Sequence, residues 1–256
     1  VQAKFIDRFL WTNWDTPPAS LDFRSSCQEL LNDVRAGLRA DPVEPRHWLD
    51  LFVKVPLVVT AALDHQLEAG DGGGAERVYR WAIGLARATF TGRPNAARCA
   101  LGVQPPTPAA LLGRPVESKA DQYSWRASCP ALVRSLAPKV LVERRPDLVL
   151  AGSHGSIRSA TLLSLYLSSR LYFLRLSRFK RRDPRPMISP PDQRYLAREA
   201  LRGRHVLVFE EDCMSGRSLD LLRREAAAIF DTVATASVLR SAQCNPRPDS
   251  CVAIVA

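Results

Sequence analysis

From about Ala127 onward the chain alternates short apolar runs with helical stretches, and this alternation constrains the fold more than any other feature. Asp147-Leu148-Val149-Leu150, Leu171–Leu176, His205-Val206-Leu207-Val208-Phe209, Thr232–Leu239 and Cys251–Val255 read as strands. A helical stretch leads up to Val142, and further helices read over Ile157–Ser168 and around Leu219–Ile229. Strands separated by helices of this length predict a parallel sheet with helices on both faces. Sheets of that kind bind ligands at the carboxyl ends of their strands. The unusual segments of this sequence fall at those ends.

Residues 1–125 have a different texture and read as a mostly helical N-terminal region. Leu30, Leu31, Val34 and Leu38 recur at helical spacing, as do Val78, Trp81, Ala82 and Leu85. Gly70–Gly74 breaks two helical pieces, and the Pro-rich stretch Gly102–Pro115 reads as a loop or linker. Trp11, Trp14, Trp48, Trp81 and Trp125 are read as core packing. Residues 126–256 form the second region, the α/β domain.

The most informative stretch runs from Gly203 to Leu219. A buried strand ends in adjacent carboxylates, Glu210-Glu211-Asp212, and a turn then presents Ser215, Gly216 and Ser218 just before a helix starts. Backbone N–H groups at a helix N-terminus, with hydroxyls beside them, hold a phosphate monoester well. Gly216 is expected to let the backbone come close to that anion. An ordinary strand–turn–helix with a serine cap would explain the hydroxyls alone. It does not explain three consecutive acids, whose mutual repulsion is unfavourable without a partner. Because carboxylates repel phosphate, they are expected to face ribose hydroxyls, a hydrated Mg²⁺, or both.

This segment resembles the 5-phosphoribosyl pyrophosphate (PRPP) binding motif of type I phosphoribosyltransferases, in which an apolar strand ends in an acidic pair followed by a Thr/Ser-Gly-x-Thr/Ser loop. Glu210 and Glu211 match the acidic pair, and Met214, Ser215, Gly216, Arg217 and Ser218 match the loop that holds the 5-phosphate. Asp212 occupies a normally apolar position, and pairing Glu211 with Asp212 is the shifted alternative. The resemblance implies a pyrophosphate loop after the first strand, where Ser153-His154-Gly155-Ser156 stands with His154 in the basic position. It also implies a cation at the end of the second strand, matched by Arg175. A mobile catalytic loop is implied next, here the basic stretch with Arg178, Lys180, Arg181, Arg182 and Arg185, with Pro184, Pro186, Pro190 and Pro191 stiffening it as an arm. It covers about residues 130–256.

The implied activity is transfer of the 5-phosphoribosyl group from PRPP to a small-molecule acceptor, with release of pyrophosphate. The implied cofactor is Mg²⁺, met by Glu210 and Glu211 indirectly, through water or ribose. Glu210, Glu211 and Asp212 are the candidate catalytic residues. Met214 stands where purine-using relatives carry an acid, so the acceptor is left open. The helical region 1–125 is expected to supply the acceptor-binding hood, and a homodimer is admitted.

Composition leaves two other classes. Residues 141–256 hold 19 basic and 12 acidic residues, a net +7 of the chain's +10, and a basic half invites anionic partners. One alternative is therefore a PRPP-sensing regulator that has lost catalysis and binds nucleic acid through Arg178–Arg185. The other is an unrelated phosphate-binding module. As a transferase the protein is expected to act on small molecules, without a nucleic-acid or membrane partner. The most apolar run, Leu51–Leu63, contains Lys54 and Pro56 and is shorter than the roughly 20 residues of a membrane span. The N-terminus shows no secretory pattern, and a cytoplasmic protein is expected. The six cysteines have no Cys-x-x-Cys pair and no clustered histidines, which argues against zinc and against a disulfide framework.

Overall fold

The computed structural model describes residues 12–18, 21–39, 44–72, 74–119, 121–142, 145–177, 182–202 and 205–255. The chain divides into two units, Val1–Gln122 and Tyr123–Ala256.

The first unit is built on helices α1 (Cys27–Arg39), α2 (Pro45–Ala69), α3 (Ala75–Phe90) and α4 (Pro94–Gly102), with a single turn α5 (Ala109–Leu112). Leu30, Leu31, Val34 and Leu38 are the buried stripe of α1, as their spacing predicts, and Val78, Ala82 and Leu85 that of α3. Trp81 departs from that stripe: it is half-buried and its indole N–H donates to the Ala100 carbonyl at 2.8 Å. The apolar run Leu51–Leu63 lies inside α2, which stays helical through Pro56. Trp48 is fully buried, and Phe52 stacks on Phe90 with ring centroids 5.0 Å apart. Trp11 lies outside the described residues. No described helix is long and apolar enough to cross a membrane.

A two-stranded antiparallel sheet joins the helices of this mostly helical region. β1 (Phe23–Ser26) pairs with β2 (Pro115–Ser118), from Phe23↔Ser118 to Ser26↔Pro115. Four-residue strands paired across most of the unit carry no local period. The same pairing turns the end of the expected Gly102–Pro115 loop into structure.

The second unit holds a five-stranded parallel sheet flanked by helices. After α6 (Gln122–Ala127) and α7 (Pro130–Leu141) come β3 (Leu148–Gly152), α8 (Ile157–Tyr166), β4 (Arg170–Leu174), α9 (Pro190–Ala200), β5 (His205–Cys213), α10 (Arg217–Ala227), β6 (Thr232–Ser241) and β7 (Ser250–Val255). The strand order is β4-β3-β5-β6-β7, and every neighbouring pair is parallel. The α/β expectation holds. Leu148–Ala151 and Val206–Phe209 are completely buried because their strands are covered on both faces, which is why they read as unbroken apolar runs.

Two expectations are corrected here. β5 does not stop at Phe209 but continues through the acidic run to Cys213, paired with β6 as far as Cys213↔Arg240. The acids are thus the carboxyl end of the strand, as read from the sequence, and only its boundary moves. The Pro-rich stretch is not one long arm: Pro190 and Pro191 open α9, where a missing N–H costs nothing. Its start is fixed by a capping box, in which Ser189 N donates to Asp192 Oδ2 at 2.7 Å and the Ser189 hydroxyl accepts from Asp192 N. The Ser-Pro-Pro-Asp sequence carries that signal.

Asp192 is fully buried and also accepts from the Tyr172 hydroxyl at 2.7 Å, beside the stacked pair Tyr172–Tyr195. Removing a buried carboxylate strands its donors. Asp192→Ala is expected to lower stability by about 2–4 kcal/mol, against about 1 kcal/mol for Ser189→Ala, which loses one cap. Urea denaturation midpoints of the two variants check this, and equal losses would contradict it.

Candidate active site

The strand order places the site. From β3 the chain steps outward to β4, then returns to the other side of β3 as β5. The crevice where the order reverses, outside the carboxyl ends of β3 and β5, is where such sheets bind ligands. Ala151 lies beside Phe209 in register, so the loop after β3 and the acidic end of β5 emerge as neighbours. The Ser153–Ser156 segment and residues 210–218 are thus brought to one corner.

Glu211 is the best-held member of the acidic run. It is 7% exposed, and its carboxylate accepts from the Ser124 hydroxyl at 3.1 Å and, at short range, from the Ser156 hydroxyl. Its backbone N–H donates to the same Ser156 oxygen at 3.3 Å. Gly155 lies so close that a Cβ there would overlap the Glu211 carboxylate. A side chain at 155 would therefore displace the Glu211 carboxylate from its present position. The loop carries strain at His154, whose φ of 112° is unusual for a residue with a side chain.

Glu210 projects elsewhere. Its Oε1 sits 3.1 Å from where a Gly152 Cβ would lie, near Leu222 of α10. Burial raises its pKa well above the ordinary value, and the charges of Glu211 and Asp212 raise it further. Asp212 is half-buried, with the Ser124 hydroxyl 3.4 Å from its Oδ2. Repulsion among these carboxylates therefore disfavours ionising all three together.

The turn after β5 leads into α10 through Gly216, which has φ 80° and no side-chain cap. Ser215 and Arg217 are exposed, Met214 and Ser218 half-buried. The Ser215 hydroxyl accepts from Arg217 N at 3.4 Å. Gly216 differs from expectation in one respect. A Cβ there would fall 2.6 Å from the Asn245 carbonyl carbon and the Pro246 oxygen, so its bareness makes room for the chain itself. Asn245 N donates to Ser215 O at 3.3 Å, fastening that segment to the turn.

Arg175 is 1% exposed at the end of β4, with Nη1 3.4 Å from the Ser153 hydroxyl. That contact places Arg175 beside the Ser153–Ser156 loop. Beyond it the chain is tied back: Met187 N donates to Arg175 O at 2.8 Å, and Ser177 N to Asp183 Oδ2 at 2.8 Å. Arg178, Lys180 and Arg181 lie outside the described residues.

Sequence reasoning missed Ser124, Trp125 and Arg158 as members of this corner. Arg158, in the first turn of α8, has its guanidinium 6.0 Å from the centre of the Trp125 ring. Burial lowers its pKa to about 10 and the Glu211 charge opposes that fall, so it stays cationic at neutral pH. No motif spacing announces these residues; α6 comes to Glu211 only in three dimensions. Among the described residues no three His, Cys, Asp or Glu side chains are arranged to hold a metal alone. A cation at the acids would need ligands from a bound molecule or water, as a phosphate-bound Mg²⁺ has.

No family model and no curated protein matches this chain. Among solved structures, it is similar to a purine phosphoribosyltransferase from Pyrococcus horikoshii, at 19% identity and TM-score 0.41, over 50% of this chain and 83% of that one. A hypothetical protein from Neisseria gonorrhoeae with bound ppGpp matches at 19% and 0.41, over 51% and 79%. The hypoxanthine phosphoribosyltransferase of Trypanosoma cruzi, complexed with IMP, matches at 14% and 0.40, over 52% and 75%.

Because the raised pKa of Glu210 means that the folded state holds its proton more tightly than the unfolded chain, ionising it costs stability. That cost is absent below the ordinary carboxylate range and grows as pH rises through the raised value. Glu210→Gln is therefore expected to raise the melting temperature at neutral pH, with the gain vanishing in acid. Thermal unfolding across pH checks this; a gain that persists at low pH would contradict it.

Proposed function

We propose that the second unit binds PRPP at the β3–β5 crevice and transfers its phosphoribosyl group to a small-molecule acceptor. The observation that carries this reading is that the loop after β3 meets the acidic end of β5, from which the turn into α10 follows. The uncapped N-terminus of α10, with Ser215 and Ser218, suits a terminal phosphate. The strained His154–Gly155 turn, with Ser153, Ser156 and buried Arg175, suits a second, larger anion. Beside them stand carboxylates, which repel phosphate, and of these Glu210 and Asp212 are the ones to accept from sugar hydroxyls. A ribose carrying phosphate at one end and pyrophosphate at the other meets all three demands.

In the reaction the acceptor atom forms a bond to ribose C1 while the bond from C1 to the pyrophosphate oxygen breaks, its electron pair leaving with pyrophosphate. Arg175 and the loop amides would stabilise the charge gathering on that leaving group. Glu210 and Asp212 would orient the ribose hydroxyls and meet a donor-bound Mg²⁺ through water. When bound, the metal would supply further neutralisation of the leaving pyrophosphate. Met214 has no proton to exchange, so any base contact with the acceptor falls to Asp212.

Calorimetry with PRPP and Mg²⁺ is expected to give saturable binding, weakened about tenfold or more in a Ser215→Ala/Ser218→Ala variant, which loses two hydroxyl contacts to the phosphate. Incubation with PRPP and a metabolite extract is expected to release pyrophosphate and add one phosphoribosyl mass to an acceptor. A protein that ignores PRPP but saturates with another phosphorylated ligand would overturn the reading.

A further inference from the structure

The acidic run has three members, but they are not equivalent, and the difference assigns each a task. Glu211 is enclosed. Two hydroxyls donate to it, one from Ser124 and one from Ser156, and Gly155 presses against it with no room for a side chain. Each of these contacts except Ser124 comes from the loop read above as the pyrophosphate site. The Glu211 N–H closes a second bond to Ser156, so strand and loop are joined by both main chain and side chain.

Arg158 completes this corner from the other side. It follows the loop by one helical residue, lies over the Trp125 face, and interacts electrostatically with Glu211. Its Nε is buried without a hydrogen-bond acceptor. A guanidinium left partly unsatisfied is an expensive way to fill space. Its charge is therefore the property in use: a buried carboxylate needs a nearby cation to remain a strong acceptor. Glu210, in contrast, leans over Gly152, outside this enclosure.

We propose that Glu211 is a strut that holds the Ser153–Ser156 loop in shape for pyrophosphate, with Arg158 as the positioning residue that neutralises it, and that Glu210 carries the contact to the sugar. This rests on the PRPP reading and divides labour within it. It also departs from the resemblance, which treats Glu210 and Glu211 as one ribose-gripping pair.

The test is a panel of three ligands, PRPP, inorganic pyrophosphate and ribose 5-phosphate, each titrated with Mg²⁺ into the full chain and its variants. Glu211→Gln and Arg158→Met are expected to weaken pyrophosphate and PRPP by about tenfold or more while changing ribose 5-phosphate by less than about threefold. Arg158→Lys, which keeps the charge, should recover most of the loss. Glu210→Gln should show the opposite pattern, losing ribose 5-phosphate and PRPP and sparing pyrophosphate. Amide hydrogen exchange provides a ligand-free readout: in Arg158→Met, protection should fall at 153–156 and hold in the β3 and β5 strands.

Equal losses for all three ligands, or a Glu211→Gln variant that selectively loses ribose 5-phosphate, would overturn the division of labour while leaving PRPP binding intact. A native chain that binds none of the three would instead overturn the PRPP reading. Unchanged exchange at 153–156 in Arg158→Met would remove the strut in either case.

Discussion

The molecule's second unit depends on one unfavourable act: an apolar strand carries three consecutive carboxylates to the end of a buried sheet. Like charges at that separation repel, and burial removes the water that would screen them. The corner holds because each acid is treated differently. Glu211 receives two hydroxyl hydrogen bonds and a neighbouring guanidinium, Asp212 remains half in solvent with Ser124 nearby, and Glu210 is held towards its neutral form. A protein does not retain such an arrangement for stability, since an apolar corner would cost less.

Close approach is the second constraint, and it explains the two glycines that matter. Gly155 gives up its side chain to a carboxylate, and Gly216 gives up its own to the Asn245–Pro246 backbone. Neither is a flexible hinge. Both are places where two segments distant in sequence come within contact distance, so the loop after β3 is fitted to the end of β5, and the turn after β5 to the segment after β6. The strain at His154 is tolerated because the surrounding contacts determine the loop on either side.

Much of the second unit was legible. The strand–helix alternation gave a parallel sheet because buried parallel strands are apolar on both faces and helices need their own period. The placement of Ser153–Ser156, Arg175 and residues 210–218 at one edge followed from the same alternation. What escaped had a physical reason in each case. The strand continues through Glu210–Cys213 because the β6 ladder overrides the dislike of strands for acids. The helix at Pro190 is hidden because proline breaks helices in their interior, although at the first turn it starts them. The β1–β2 pair escaped because its signal is the partner strand, not its own residues.

The local chemistry was settled by the amino-acid order alone: an acidic strand end, a hydroxyl-rich turn before a helix, a Gly/Ser loop after an earlier strand, and a cation after the next. Such features depend on neighbours along the chain, and periodicity reveals them. Which carboxylate meets which partner was decided only by the tertiary structure. Ser124 reaches Glu211, and Arg158 lies over the neighbouring Trp125 ring, through a proximity produced by chain folding that no spacing along the sequence encodes.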